Sequence, residues 1–131
     1  MEDHLEAQPL SDLRVIDLTH GIAGPYCTKL LADYGAEVIK VEPPGSGDVA
    51  RRLGPFPGDV VDLEKGGLFL HLNTNKLGTT VDIHTTRGQQ LVKELVATAD
   101  VVVEDMGPGA MASLGLDPQT LHQINPRAVI A

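Results

Sequence analysis

Short β-branched runs, separated by glycine-broken helical stretches, constrain this chain more than anything else in its sequence. Leu13 to Leu18 (LRVIDL) reads as a strand, after which Gly21 and Gly24 break the pattern and Pro25 opens TKLLADYG as a helix. Within that helix Tyr26, Cys27, Leu30, Leu31 and Tyr34 are expected to form the apolar stripe, and Gly35 sits where a C-terminal cap belongs. Glu37 to Glu42 (EVIKVE) is a second strand. A strand, helix and strand this closely spaced require parallel strands joined by a right-handed crossover.

The alternation continues. Prolines and glycines from Pro43 to Asp62 predict a long irregular connection, a kind of segment that often carries function. LFLHLNTNKLGTTVDI then offers a short apolar stretch, a polar NTNK turn and a strand near Thr79 to Ile83. Thr85 or Thr86 can cap a helix reaching about Ala99, with Leu91, Leu95 and Val96 facing inward. Val101 to Glu104 (VVVE) has the continuous apolar character of a strand covered on both faces, and the Gly107 to Gly109 turn leads to a short helix. Asp117 followed by Pro118 predicts a helix to about Ile124, and Ala128 to Ala131 begins another strand. The sum is an α/β array on a parallel sheet, without internal repeats.

Composition narrows the function classes. A net charge of -8 repels phosphate backbones and anionic membrane, and the two Tyr, two Phe and no Trp leave few stacking platforms for single-stranded nucleic acid. Neither nucleic acid nor membrane is therefore an expected partner. The acidic start MEDHLEAQPL and the lack of a long apolar run point to a cytoplasmic protein. Cys27, the single cysteine, is read as a small inert core residue in a reducing compartment. His4, His20, His71, His84 and His122 lack metal-ligand spacing, so no metal is expected.

In open parallel sheets ligands bind beyond the carboxyl ends of the strands, which singles out three loops. In Thr19 to Pro25 (THGIAGP) glycines allow close backbone approach and a helix N-terminus follows, although an ordinary tight turn explains the same residues equally well. Glu42 lies where a ribose-binding carboxylate would, but the third glycine of the dinucleotide fingerprint is missing, and a carboxylate at the sheet end explains it better. Arg51 and Arg52, in Gly45 to Arg52, are candidate phosphate contacts or else a solvated pair near Asp48. In Glu104 to Gly109 (EDMGPG), Asp105 is a candidate ligand residue or a simple turn cap.

Taken in order, LRVIDLTHGIAGP, LLADYGAEVIKVEPPGSGD, LNTNK, ADVVVEDMGPG and LGLDP with INPR resemble the class III CoA-transferase family (CaiB/BaiF) from about Leu10 to Ala131. The resemblance implies a Rossmann-like parallel sheet with flanking helices: a flexible tail over 1–9, then the N-terminal part of a larger CoA-binding domain over 10–131. It implies transfer of CoA from an acyl-CoA to a carboxylic acid through an aspartyl intermediate, without a metal. The family's nucleophilic aspartate is expected beyond Ala131, leaving no catalytic residue in this chain, and the full-length protein is expected to be an interlocked homodimer. The family's CoA-binding positions match His20, Gly21, Ile22, Ala23, Val81, His84, Asp105, Met106 and Ser113. Pro43, Asp105, Met106 and Ser113 depart from the family's usual arginine, asparagine, aromatic and arginine. An α-methylacyl-CoA racemase-like enzyme and a noncatalytic CoA-binding module are the alternatives.

Overall fold

The computed structural model describes residues 8–131, so the tail expected over 1–9 falls mostly outside it. Five parallel strands form the sheet: β1 (Arg14–Asp17), β2 (Glu37–Glu42), β3 (Leu77–Thr80), β4 (Val101–Val103) and β5 (Val129–Ile130), in the order β3-β2-β1-β4-β5. Chain order reverses between β1 and β4. That reversal opens a crevice at the carboxyl ends of the strands, where loops must diverge to opposite sides.

Side-chain alternation divides the core into two layers. Ile16, Leu18, Val41 and Val102 face helices α3 (Thr86–Val96), α4 (Ala110–Ser113) and α5 (Pro118–Ile124), meeting Val92, Val96, Met111 and Leu121. Val15, Val38 and Val103 face the opposite way and pack with Ala32 and Ala36 at and beyond the end of α1 (Ala23–Asp33). Helix α2 (Gly67–Leu72) packs beside α1. Two caps behave as the sequence predicts: the Thr85 hydroxyl accepts from Gly88 N at 3.0 Å, and Asp117 Oδ1 accepts from Thr120 N at 3.0 Å.

Three expectations need correction. Most of the expected stripe on α1 points outward: Tyr26, Leu30 and Tyr34 are 48%, 41% and 59% exposed, while Leu31 packs against the core and Pro25, Thr28 and Ala32 are buried. Cys27 is likewise exposed rather than a core residue. The cause lies in the sheet, whose α1 face carries polar groups that Thr28 satisfies. The third correction concerns LFLHL and its sequel. LFLHL is helical, and β3 starts at Leu77 rather than near Thr79 because it pairs from Ile39↔Leu77 to Glu42↔Thr80, ending level with β2.

Candidate functional site

Strand alternation places Asp17, Lys40 and Glu42 on the α1 face, and the β1–β2 register sets Asp17 beside Lys40. All three are buried. Charges taken out of water must be paired and hydrogen-bonded, and these are. Asp17 Oδ1 accepts from Thr19 N at 3.0 Å and Thr19 Oγ1 at 2.5 Å; its Oδ2 accepts from Thr28 Oγ1 at 2.7 Å and from Lys76 Nζ at 2.9 Å. Lys76 also donates to Pro25 O and Asn73 Oδ1, tying the NTNK turn to α1. Burial pushes the Asp17 carboxyl up, but the charges of Lys40 and Lys76 and the two hydroxyls outweigh it, and its pKa falls below the ordinary value.

A second knot sits toward the loops. The Lys40 ammonium forms an ion pair with Asp48 Oδ2 at 2.8 Å and donates to Thr19 O at 2.8 Å. Asp48 Oδ1 accepts from Gly21 N at 2.9 Å and Ala50 N at 2.8 Å. Asp48 N in turn donates to Glu42 Oε2 at 2.8 Å. Burial raises the carboxyls of Asp48 and Glu42; Lys40 and the Ala50 and Gly21 amides win for Asp48, Arg51 and the Asp48 amide for Glu42, and both end below their ordinary values.

Across the carboxyl ends of the strands opens a cleft of about 390 Å³, within the size range of small-molecule sites. Leu18, Val41, Val81, Ile83, Met106 and Leu114 supply its apolar surface, while His20, Glu42, Asp82, His84 and Ser113 supply polar groups. Gly21 takes φ of +78°, a conformation that favours glycine and turns the chain sharply after His20. His20 Nε2 is shielded from solvent and has no hydrogen-bond partner among the described residues. Leaving such a nitrogen unsatisfied costs about 1–3 kcal/mol, which a bound ligand could recover.

Of the residues singled out in the sequence, His20, Val81, His84, Met106 and Ser113 line this cleft together. Gly21, Ile22 and Ala23 continue from His20 into the start of α1, with Ile22 exposed. Asp105 approaches from the loop after β4 and accepts from His20 N through both carboxylate oxygens, each at 3.1 Å. Arg51 and Arg52 are placed elsewhere. The Arg51 guanidinium holds Glu42 bidentately at 2.7 and 2.8 Å, reaches Leu63 O, and stacks 3.7 Å over the Phe69 ring; Arg52 donates to Ser46 O. Neither lines the cleft, whose wall contains no lysine or arginine.

Residues 10–131 match the family described as CoA-transferase family III. This chain belongs to that family. It is 42% identical over 124 residues to a formyl-CoA:oxalate CoA-transferase from Rhodopseudomonas palustris, covering 93% of this chain and 28% of the relative. It is also 42% identical over 132 residues to a succinyl-CoA–D-citramalate CoA-transferase from Chloroflexus aurantiacus, covering 99% and 31%. A crystal structure of a CaiB/BaiF family protein from Brucella suis superposes with a TM-score of 0.85 at 38% identity, covering 95% of this chain and 33% of that one. A hypothetical protein from Mycobacterium tuberculosis gives 0.84 at 43% identity, with the same coverage. The chain thus spans about a third of the length of the relatives it matches, and its fold is that of a class III CoA-transferase domain.

The residues that sequence reading missed are mainly those of the buried charge network: Lys40, Asp48 and Asp17. A signal for them existed, since a lysine inside EVIKVE and an aspartate inside RVIDL are charges in strands otherwise composed for burial. Asp82 and Ile83 lie between Val81 and His84 and follow from those two matches.

Proposed function

We propose that this chain forms the CoA-binding portion of an enzyme that moves CoA from an acyl-CoA to a carboxylic acid. The observation that carries the reading is the cleft at the strand ends, with a largely apolar wall that includes His20, whose Nε2 has no hydrogen-bond partner among the described residues. The apolar wall suits the adenine ring or pantetheine arm, and His20 and His84 are the hydrogen-bonding groups available to phosphate or amide oxygens. Chemistry in the family runs through an aspartyl anhydride and an aspartyl-CoA thioester, and a carboxylate serves because the anhydride keeps the acyl group activated.

None of Asp12, Asp17, Asp33, Asp48, Asp100, Asp105 or Asp117 matches that nucleophile, and several are otherwise engaged: Asp17 with Lys76, Asp48 with Lys40, Asp105 with the His20 N–H and Asp117 as the cap of α5. On this reading the 131 residues bind CoA but do not turn over, in a cytoplasmic protein that pairs as a homodimer at full length. The test is calorimetric titration of the protein with CoA, followed by an acyl-transfer assay on the full-length gene product. Binding with transfer is expected. Binding without transfer would make it a noncatalytic CoA module, exchange of the proton next to the thioester carbonyl would make it racemase-like, and no binding would sink the proposal.

A further inference from the structure

The two peptide groups that flank His20 are held at three points, each by a charged side chain from a different part of the chain. Lys40, on β2, donates to the Thr19 carbonyl at 2.8 Å. Asp105, after β4, receives the His20 N–H at 3.1 Å to each oxygen. Asp48, in the connection after β2, receives the Gly21 N–H at 2.9 Å. The backbone on both sides of the His20 side chain is thereby fixed by charge-assisted hydrogen bonds, the stronger kind. The side chain so fixed lines the cleft, and its Nε2 is shielded from solvent with no hydrogen-bond partner among the described residues.

We infer that Asp105 is a positioning residue, which together with the buried Lys40–Asp48 pair holds the His20 imidazole ready for the ligand, rather than a group that contacts the ligand itself. A carboxylate facing CoA phosphates would repel them; both of its oxygens are instead turned to a peptide N–H. Lys40 and Asp48 are buried beneath the loop and absent from the cleft wall, so they act on a ligand only through the backbone they hold. A pre-aimed donor or acceptor does not have to be ordered when the ligand arrives, which is what a positioning shell contributes to affinity.

This inference rests on the CoA reading for its binding arm only, and a second arm stands without it. Asp105 is exposed, so Asp105→Ala should fold as well as the parent; Asp105→Asn keeps an acceptor oxygen without the charge. Calorimetry with CoA should show Asp105→Ala about tenfold weaker and Asp105→Asn within about twofold of the parent. In a His20→Ala background the Asp105→Ala change should have no further effect, because the two act as one unit. Amide hydrogen exchange followed by NMR, with no ligand present, should show the His20 N–H protected in the parent and in Asp105→Asn and about tenfold faster in Asp105→Ala.

Tighter CoA binding by Asp105→Asn would overturn the inference by exposing a ligand-facing repulsive charge. Additive losses in the double variant, or unchanged exchange at His20 in Asp105→Ala, would overturn it as well. If the parent binds no CoA, the proposed function fails, while the exchange result still decides whether Asp105 positions His20.

Discussion

Gly88 offers a sharp test, because helix propensity and packing give opposite answers there. It lies in the first turn of α3, where replacing glycine by alanine would ordinarily stabilise by up to about 1 kcal/mol. A Cβ added at Gly88, however, would lie 1.8 Å from Asp82 O and 2.6 Å from Asp82 C. Ordinary C···O contacts start at about 3.3 Å, so the Asp82 carbonyl would have to retreat by about 1.5 Å. That carbonyl accepts from Thr85 N at 3.1 Å and Thr85 Oγ1 at 2.8 Å, and Thr85 Oγ1 in turn caps Gly88 N. Overpacking against backbone costs about 1–3 kcal/mol and loss of the cap about 1 kcal/mol, leaving Gly88→Ala destabilised by about 2 kcal/mol after the propensity gain. For a chain of this length that is a fall in Tm of about 8 °C, read by circular dichroism or calorimetry. Because Val81, Asp82, Ile83 and His84 wall the cleft, CoA binding should weaken in the same variant. An unchanged or raised Tm would refute the contact and, with it, the position of the loop after β3.

The remaining predictions concern charge and the reversed helix face. Asp17, Glu42 and Asp48 are all held below their ordinary values of 3.8, 4.5 and 3.8, so the unfolded chain takes up protons first as pH falls. Their stabilisation is complete above those values and is lost progressively as pH drops from about 4.5 through the lowered folded values; urea midpoints across pH 7 to pH 3 should fall over that window, and a flat profile would contradict it. Replacing one buried pair, Asp17→Asn with Lys76→Met, should make that decline shallower. On α1, Leu30→Ala should cost under about 0.5 kcal/mol, whereas Ile16→Ala in the core should cost about 3 kcal/mol; equal losses in chemical denaturation would restore the inward stripe.

Backbone-level features of this fold were legible because each rests on local chemistry. EVIKVE forms a strand at the residues expected, and Asp117 with Pro118 starts α5 where cap and proline demand it. Gly35, expected to end α1, follows its last turn with φ of +103°. The cleft was legible in part: two of the three loops named for leaving the carboxyl end of a strand bring His20 and Met106 to it, while His84 was indicated only by the family resemblance. Arg51 was misleading in a different way. Nothing in its immediate sequence, Val49, Ala50, Arg52 and Leu53, announces that Glu42, nine residues earlier, takes the guanidinium in two hydrogen bonds.

The two larger misses, the outward residues of α1 and the buried charge network, have one physical origin. Read singly, Asp17 and Lys40 are charges out of place; read with the pleat, Asp17, Lys40 and Glu42 all project to one face of adjacent strands. A helix covering that face cannot present Tyr26, Leu30 and Tyr34, since apolar side chains would leave the carboxylates without donors. It presents Thr28, whose hydroxyl reaches Asp17 Oδ2, with the small Ala32 and the Pro25 carbonyl that receives Lys76. Of the expected stripe only Leu31 packs inward, because the burden of satisfying buried charge outranked the count of apolar residues. The consequence reaches the ligand site: the charges that decided which side of α1 is buried also hold the peptide groups on either side of His20.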